Sequence, residues 1–351
     1  MKLENRIAAC TELGKRLSAV ISEKENGRLS GPENELRQLI FESKNYNGWF
    51  TPENVQFMLN EIAKSLAPGS LQKWMQPYRS RIEKQAYSKK IAVVMAGNIP
   101  AIGFDDFLSV LITGNSLLAK LSSDDNKILP AMAKMLIEIE PEFEQKIEFT
   151  EGQLKKFDAV IATGSNNSAR YFEYYFGKYP HIIRKNRNGI AVLDGNETNA
   201  DFEKLADDIF LYFGLGCRNV SKIFAPKNYD FKKFLSVLEA RKGVVENSKY
   251  FNNYEYNKAI YLVNGIPHFD TGNLLVVENG QFSSPVSVLY YSFYNKKSEL
   301  ENLLEIEKES IQCIVAEDGS LKNAIPFGES QRPNLWDYAD QVDVIEFLLS
   351  I

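Results

Sequence analysis

The stretch IAVVMAGNIP, residues 91–100, decides the fold. Its first half is an uncharged apolar run of strand length, and Gly97, Asn98 and Pro100 break it. A buried strand that ends in a tight turn favours an α/β architecture if helices follow. They do: Phe104, Phe107, Leu108, Leu111 and Ile112 recur at helical spacing before Gly114. A second strand is expected over 116–121, ending at Ser122 and Ser123, and the stripe Ile128, Ala131, Met132, Met135, Leu136 and Ile139 makes the next helix. The alternation continues with a strand over 158–162, the turn Thr163-Gly164-Ser165, an aromatic-rich helix over 169–176 and a strand over 189–193. Strands joined by helical crossovers pair in parallel.

In the other direction, residues 1 to about 86 are helical in pattern. Ile7, Cys10, Leu17 and Ile21 share a face, as do Val55, Met58, Leu59, Ile62 and Leu66. Gly31-Pro32, Thr51-Pro52 and Pro68-Gly69 punctuate these helices, which read as a lead-in that packs on the sheet. Beyond residue 215 the alternation partly repeats. Strands are expected over 221–225, 259–263, 274–277, 286–292 and 312–316, with helices over 231–240 and 300–306. The expected division is a first domain over 1–214, with an α/β core at 91–214, a second over 215–328, and a tail over 329–351 free to pack back on the first.

Composition narrows the function. The chain of 351 residues is 44% hydrophobic and 25% charged, which suits two ordinary globular domains. A net charge of −5 without a Lys/Arg block argues against a nucleic-acid partner. The amino-terminal residues 1–17 lack a continuous apolar core, and no uncharged apolar run spans a bilayer, so a cytoplasmic protein without membrane insertion is expected. Cys10, Cys217 and Cys313 are too scattered for a disulfide framework or a zinc pattern, and two histidines, His181 and His268, make a multi-histidine metal site unattractive.

One cysteine has chemical surroundings. In FGLGCRNVSKIFAP, residues 213–226, Cys217 lies between a helical pattern (Phe202, Leu205, Ala206, Ile209, Phe213) and a short apolar strand, flanked by Gly214 and Gly216. Alone it would read as a small buried hydrophobe. Three turns upstream change that reading. AGNIPAIG presents Asn98 after a strand, where an amide can donate to an oxyanion, although a turn-stabilising asparagine has the same appearance. The second strand ends in Lys120 and Ser122, which also fits a solvated strand end. ATGSNNSAR carries Gly164 and Ser165 from strand into helix, a short cradle for pyrophosphate. There is neither a GxGxxG fingerprint nor a Walker loop.

In order and spacing, AGNIPAIG, ITGNSLLAKLSS, IATGSNNSAR and the Cys217 segment resemble the aldehyde dehydrogenase superfamily, and within it the LuxC-type acyl-CoA reductase family. The resemblance runs from residue 91 to the tail PFGESQRPNLWDYADQVDVIEFL. It implies an aldehyde dehydrogenase-like α/β fold with two domains, the first binding cofactor and the second carrying the nucleophile. It makes Cys217 that nucleophile and Asn98 its oxyanion partner. Lys120 and Ser122 would lie by the adenosine ribose, and Gly164 with Ser165 by the pyrophosphate. Two departures qualify the match. The glutamate that activates water in hydrolytic members falls at Ile182, about 35 residues before the cysteine, beside His181, itself an acid–base candidate or a structural histidine. The glutamate that holds the nicotinamide ribose aligns with Gln281, whose amide can still bond a hydroxyl.

The resulting expectation is NAD(P)H-dependent reduction of a fatty acyl-CoA or acyl-carrier thioester to an aldehyde, through a thioester on Cys217, with NADPH preferred over NADH. An aldehyde or acyl-phosphate dehydrogenase, or a non-redox acyl relay, are the alternatives. The resemblance also implies a homo-oligomer and a partner protein that transfers or activates the acyl group.

Overall fold

Among the described residues six helices precede the first strand: α1 (Leu3–Ile21), α2 (Gly31–Phe41), α3 (Ser43–Tyr46), α4 (Pro52–Ser65), α5 (Pro68–Met75) and α6 (Arg79–Lys84). Local chemistry sets their starts. Ser30 and Glu33 form a reciprocal capping box at α2, and Thr51 accepts from the Asn54 N–H at 3.2 Å ahead of Pro52. Their apolar stripes, among them Leu13, Leu17, Leu36 and Leu59, are fully buried against the first sheet's helices. The computed structural model describes residues 1–22, 29–85, 87–317 and 319–351.

The expected alternation follows: β1 (Lys90–Val94), α7 (Phe104–Ile112), β2 (Ser116–Lys120), α8 (Ile128–Ile139), β3 (Ile147–Thr150), β4 (Ala159–Thr163), α9 (Asn166–Phe176) and β5 (His181–Arg184). These strands make a wholly parallel sheet in the order β3-β2-β1-β4-β5. From β1 the chain winds outward through β2 and β3, then returns to the other side of β1 for β4. The winding therefore reverses between β1 and β4, and such a switch point opens a crevice at the carboxyl ends of the strands. A buried, bidentate pair from Arg184 to Asp106, at 2.6 and 2.9 Å, ties β5 to α7. Burial opposes the charge on Arg184, but the Asp106 carboxylate outweighs it and holds the guanidinium above its ordinary pKa.

A second sheet is built from β6 (Asn188–Val192), β7 (Val220–Pro226), β8 (His268–Asp270), β9 (Leu275–Glu278), β10 (Val288–Tyr294) and β11 (Ile311–Val315), in the order β11-β6-β7-β10-β9-β8. Its β8–β9 pair is antiparallel, and its other pairs among the described residues are parallel. Helices α10 (Asn199–Phe210), α11 (Lys232–Ala240), α12 (Ser248–Val263) and α13 (Lys297–Ile306) accompany it. One face of the sheet buries Ile223, Val276 and Leu289 with Phe234, and the other buries Ile190 and Phe224 with Leu300. The last helix, α14 (Val344–Ser350), packs Val344, Ile345 and Leu348 into the core of the first sheet's unit.

Two compact units result, Met1–Lys185 with Asn334–Ile351, and Asn186–Pro333. The boundary expected at 214/215 thus falls inside the second unit, because β6 hydrogen-bonds to β7 and β11 rather than to the first sheet. The strand expected at 259–263 is instead the end of helix α12. AIYLV has strand composition, but Tyr250, Tyr254, Asn257 and Tyr261, spaced four, three and four apart, are buried together as one helical face.

Candidate functional site

In the first unit the carboxyl ends of β1, β2 and β4 gather five of the expected residues. Register sets Val94 opposite both Lys120 and Ala162, and the Met95 N–H donates to the Lys120 carbonyl at 3.0 Å, so the three following loops leave one edge side by side. Asn98 is exposed there, and Lys120 and Ser122 are half-buried. Glycine makes the close packing feasible: a Cβ on Gly97 would sit 2.5 Å from the Ser122 Oγ, and one on Gly164 would sit 2.8 Å from the Ser168 Cβ. Ser165 caps α9 by accepting from the Ser168 N–H at 3.2 Å, so the amino terminus of an eleven-residue helix faces this edge. Free N–H groups and the helix dipole make such a terminus receptive to phosphate.

Sequence reasoning missed Asp125, which lies against the same turn. One carboxylate oxygen accepts from the Ala101 N–H at 2.6 Å, where Ala101 has a φ of 51°, in the left-handed region that L side chains rarely adopt. The other oxygen is buried. Burial pushes this carboxyl up to about 6 despite the amide bonds from Ala101 and Ile128. Asp125 therefore pins the turn that displays Asn98. Its signal, an acidic pair directly after Ser122 and Ser123, is indistinguishable in sequence from a solvated loop.

In the second unit Cys217 occupies the second position of a tight turn at the amino-terminal end of β7, where the Asn219 N–H donates to the Gly216 carbonyl at 3.0 Å. The approach to that turn is strained, with Tyr212, Phe213 and Gly214 all left-handed at φ of 52°, 59° and 75°. Burial of Tyr212 and ring contact of Phe213 with Tyr250 offset part of this cost. Asn219, also missed in the sequence, closes the turn from inside. Its Oδ1 accepts from the Gly216 N–H at 2.8 Å, and its Nδ2 donates to the carbonyls of Asp208 and Leu211 at 2.9 and 2.8 Å. Cys217 is partly exposed. Cys313, in β11, directs its thiol to the Arg218 carbonyl at 3.7 Å, and burial pushes that thiol up to about 12, the range of an inert cysteine.

Gln281 is exposed in the loop between β9 and β10, its N–H bonded to the Asn279 Oδ1 at 2.8 Å. The loop is anchored by Lys222, whose side chain is fully buried in mid-strand and donates to the Asn279 carbonyl and, at 2.5 Å, to the Ser292 Oγ. Burial lowers this ammonium to about 8, with Glu278 opposing the shift.

Ile182 is buried in β5, and His181 stands at the amino-terminal end of that strand, away from the carboxyl edge, bonded through Nδ1 to the Tyr179 carbonyl at 2.8 Å. On α9, Phe172 and Phe176 pack towards the sheet while Tyr171, Tyr174 and Tyr175 face outward. Among the described residues no cluster of His, Cys, Asp and Glu could hold a metal ion, and no helix is long and apolar enough to cross a membrane.

Comparison with solved structures establishes the fold. Aldehyde dehydrogenase 21 from Physcomitrella patens, solved with the reaction product succinate, superposes with a TM-score of 0.66 at 10% identity, over 99% of this chain and 87% of that one. An oxidoreductase from Marinobacter aquaeolei gives 0.62 at 12% identity, over 91% and 74%. A mutant of proline utilization A from Bradyrhizobium japonicum gives 0.64 at 14% identity over 90% of this chain, which spans only 36% of that longer protein. No curated protein matches the chain. The family match extends over residues 1–241 and takes in the helical lead-in, the carboxyl edge of the first sheet and the Cys217 turn. With that match covering more than two-thirds of its length, the chain belongs to the LuxC family of acyl-CoA reductases.

Proposed function

We propose that this protein reduces an acyl thioester to an aldehyde, with Cys217 as the acyl acceptor. The observation that carries the reading is the presentation of Cys217 at the tip of a turn braced from inside by Asn219, in a chain whose family is that of acyl-CoA reductases. The Cys217 thiolate attacks the acyl carbonyl, the tetrahedral oxyanion collapses, and the CoA or carrier thiolate leaves, so that one thioester is exchanged for another. The Cys217 N–H and the Asn98 amide are the donors assigned to the oxyanion, each worth about 3 kcal/mol in such sites. Ile182 offers no carboxylate to activate water, which supports a thioester that persists until it is reduced or transferred.

The carboxyl edge of the first sheet suits a nicotinamide dinucleotide: Gly97 and Gly164 let its loops pack closely on Ser122 and Ser168, and α9 aims its amino terminus there. Lys120 and Ser122 would hold the adenosine ribose, Gly164 and Ser165 the pyrophosphate, and Gln281 the nicotinamide ribose. A nicotinamide cofactor held there would supply a hydride for the thioester, and the Cys217 thiolate would be freed as the aldehyde forms. Lys120, Ser122 and Ser123 offer a cation and hydroxyls to a 2′-phosphate, which favours NADPH. The first unit is thereby assigned to cofactor and the second to acyl transfer, in a cytoplasmic enzyme served by an acyl-CoA or an acyl-carrier thioester.

Mass spectrometry after mixing the protein with acyl-CoAs of graded length, without cofactor, should show one acyl adduct on the peptide containing Cys217, absent in Cys217→Ala. An unmodified protein at every chain length would refute the assignment. Acid formed from free aldehyde without CoA would replace it with an aldehyde dehydrogenase.

A further inference from the structure

Asp208 lies at the end of α10, nine residues before Cys217, and is only 1% exposed. It is engaged on two sides. Its carboxylate accepts from the Gly328 N–H at 2.6 Å and from the Ser330 N–H at 3.0 Å, one bond to each oxygen. Its backbone carbonyl accepts from the Asn219 Nδ2, and Asn219 in turn closes the Cys217 turn through Gly216. The segment so held belongs to the PFGES stretch, residues 326–330, where Gly328 has a φ of 86° and a Cβ would meet the Lys204 Cβ at 3.0 Å. Ser330 is fully buried.

We infer that Asp208 is a positioning residue for the nucleophile, a node through which the Cys217 turn and the PFGES segment are held as one rigid piece. The inference rests on Cys217 being the acyl acceptor. Here the charged acceptor is spent on two backbone donors 120 and 122 residues away, while the same residue's carbonyl supplies an anchor for the side chain that shapes the turn. The arrangement is specific to a carboxylate. An asparagine offers one acceptor oxygen and would turn its NH2 towards the second N–H, releasing half of the clamp. Loosening the frame moves the thiol off its line of attack, and a misplacement of 1 Å costs about 100-fold in rate.

The test compares wild type, Asp208→Asn and Asn219→Asp. The second variant keeps the acceptor for the Gly216 N–H but loses the donors to Asp208 and Leu211, severing the same link without touching Gly328 or Ser330. Two rates are read at Cys217 by peptide mass spectrometry: alkylation by iodoacetamide, and acylation by acyl-CoAs from butyryl to palmitoyl. Unfolding midpoints are measured in parallel. The expected result is acylation slowed roughly 10- to 100-fold in each variant, with the acyl-CoA concentration for half-saturation unchanged. A folded variant of either kind that acylates at the wild-type rate overturns the inference. In wild-type protein, hydrogen exchange asks the same question without a substitution: the amides of Asn219, Gly328 and Ser330 should open as one unit, and protection differing more than tenfold between the two segments overturns it. Failure of wild type to accept an acyl group defeats the proposed function instead, while the alkylation and exchange arms still report on Asp208.

Discussion

Gly189→Ala tests how closely the second sheet supports the Cys217 turn. A Cβ at this position in β6 would lie 2.5 Å from the Arg218 carbonyl oxygen, 2.7 Å from the Asn219 oxygen and 2.9 Å from the Arg218 carbonyl carbon. All three are backbone atoms, so no flexible side chain can swing aside, and β6 or the turn must retreat by about 0.5–1 Å to reach ordinary contact. Overpacking of this kind costs about 1–3 kcal/mol. Contact with rigid backbone puts this site in the upper part of that range, about 2–3 kcal/mol, and the stiffer unfolded chain returns up to about 1 kcal/mol, leaving a net loss of at least about 1–2 kcal/mol. At about 2–4 °C per kcal/mol for a unit of this size, the melting point should fall by about 2–8 °C. Because the displaced carbonyls are those of the residues directly after Cys217, thiol reactivity should fall with it, by up to about 100-fold. Gly243→Ala is the control, since a Cβ there meets nothing within 4 Å. Thermal unfolding and timed iodoacetamide labelling of Cys217 are the assays. A Gly189→Ala protein with wild-type melting and wild-type labelling would refute the reasoning.

Asp125→Asn should flatten a pH dependence. The wild-type carboxyl titrates at about 6 when folded and at the ordinary 3.8 when unfolded, so between those values the folded state holds the extra proton. Its contribution to stability therefore rises as pH falls from about 6 to about 4, by up to about 3 kcal/mol. Urea unfolding of both proteins from pH 7 to 4.5 reads the difference, and parallel curves would exclude it. Asp106→Ala strands the buried Arg184 guanidinium and should lose about 3–5 kcal/mol in the same assay. A loss under about 1 kcal/mol would mean the pair is solvated.

Much of this architecture could be read from composition and spacing, for identifiable reasons. The strands at 91, 116 and 158 are apolar runs bounded by glycine, serine or asparagine, and burial on both faces is what a parallel sheet demands of them. By contrast β3, β5 and β8 are three or four residues long and carry no periodicity to find. The unit boundary was hidden because β6 chooses partners in β7 and β11, the latter more than 100 residues distant, and pairing is not a local property. The site divides the same way. Cys217, Asn98 and Gly164 stand at element ends, where breakers mark them. Asn219, Asp125 and Asp208 matter through bonds to residues brought close only by folding, so in sequence they look like any loop or helix polar residue.

The return of residues Asn334–Ile351 to the first unit has a consequence during synthesis. When the ribosome has released residue 185, the α-helical and sheet layers of that unit are present but their final helix is not. The 148 residues of the second unit, 186–333, come out first, which at about 5–20 residues per second takes roughly 7–30 s. Throughout that interval the surface later covered by Val344, Ile345 and Leu348 is open to solvent or to a chaperone. The inserted unit can finish before the one that began it, and α7, against which α14 packs, waits uncovered until then.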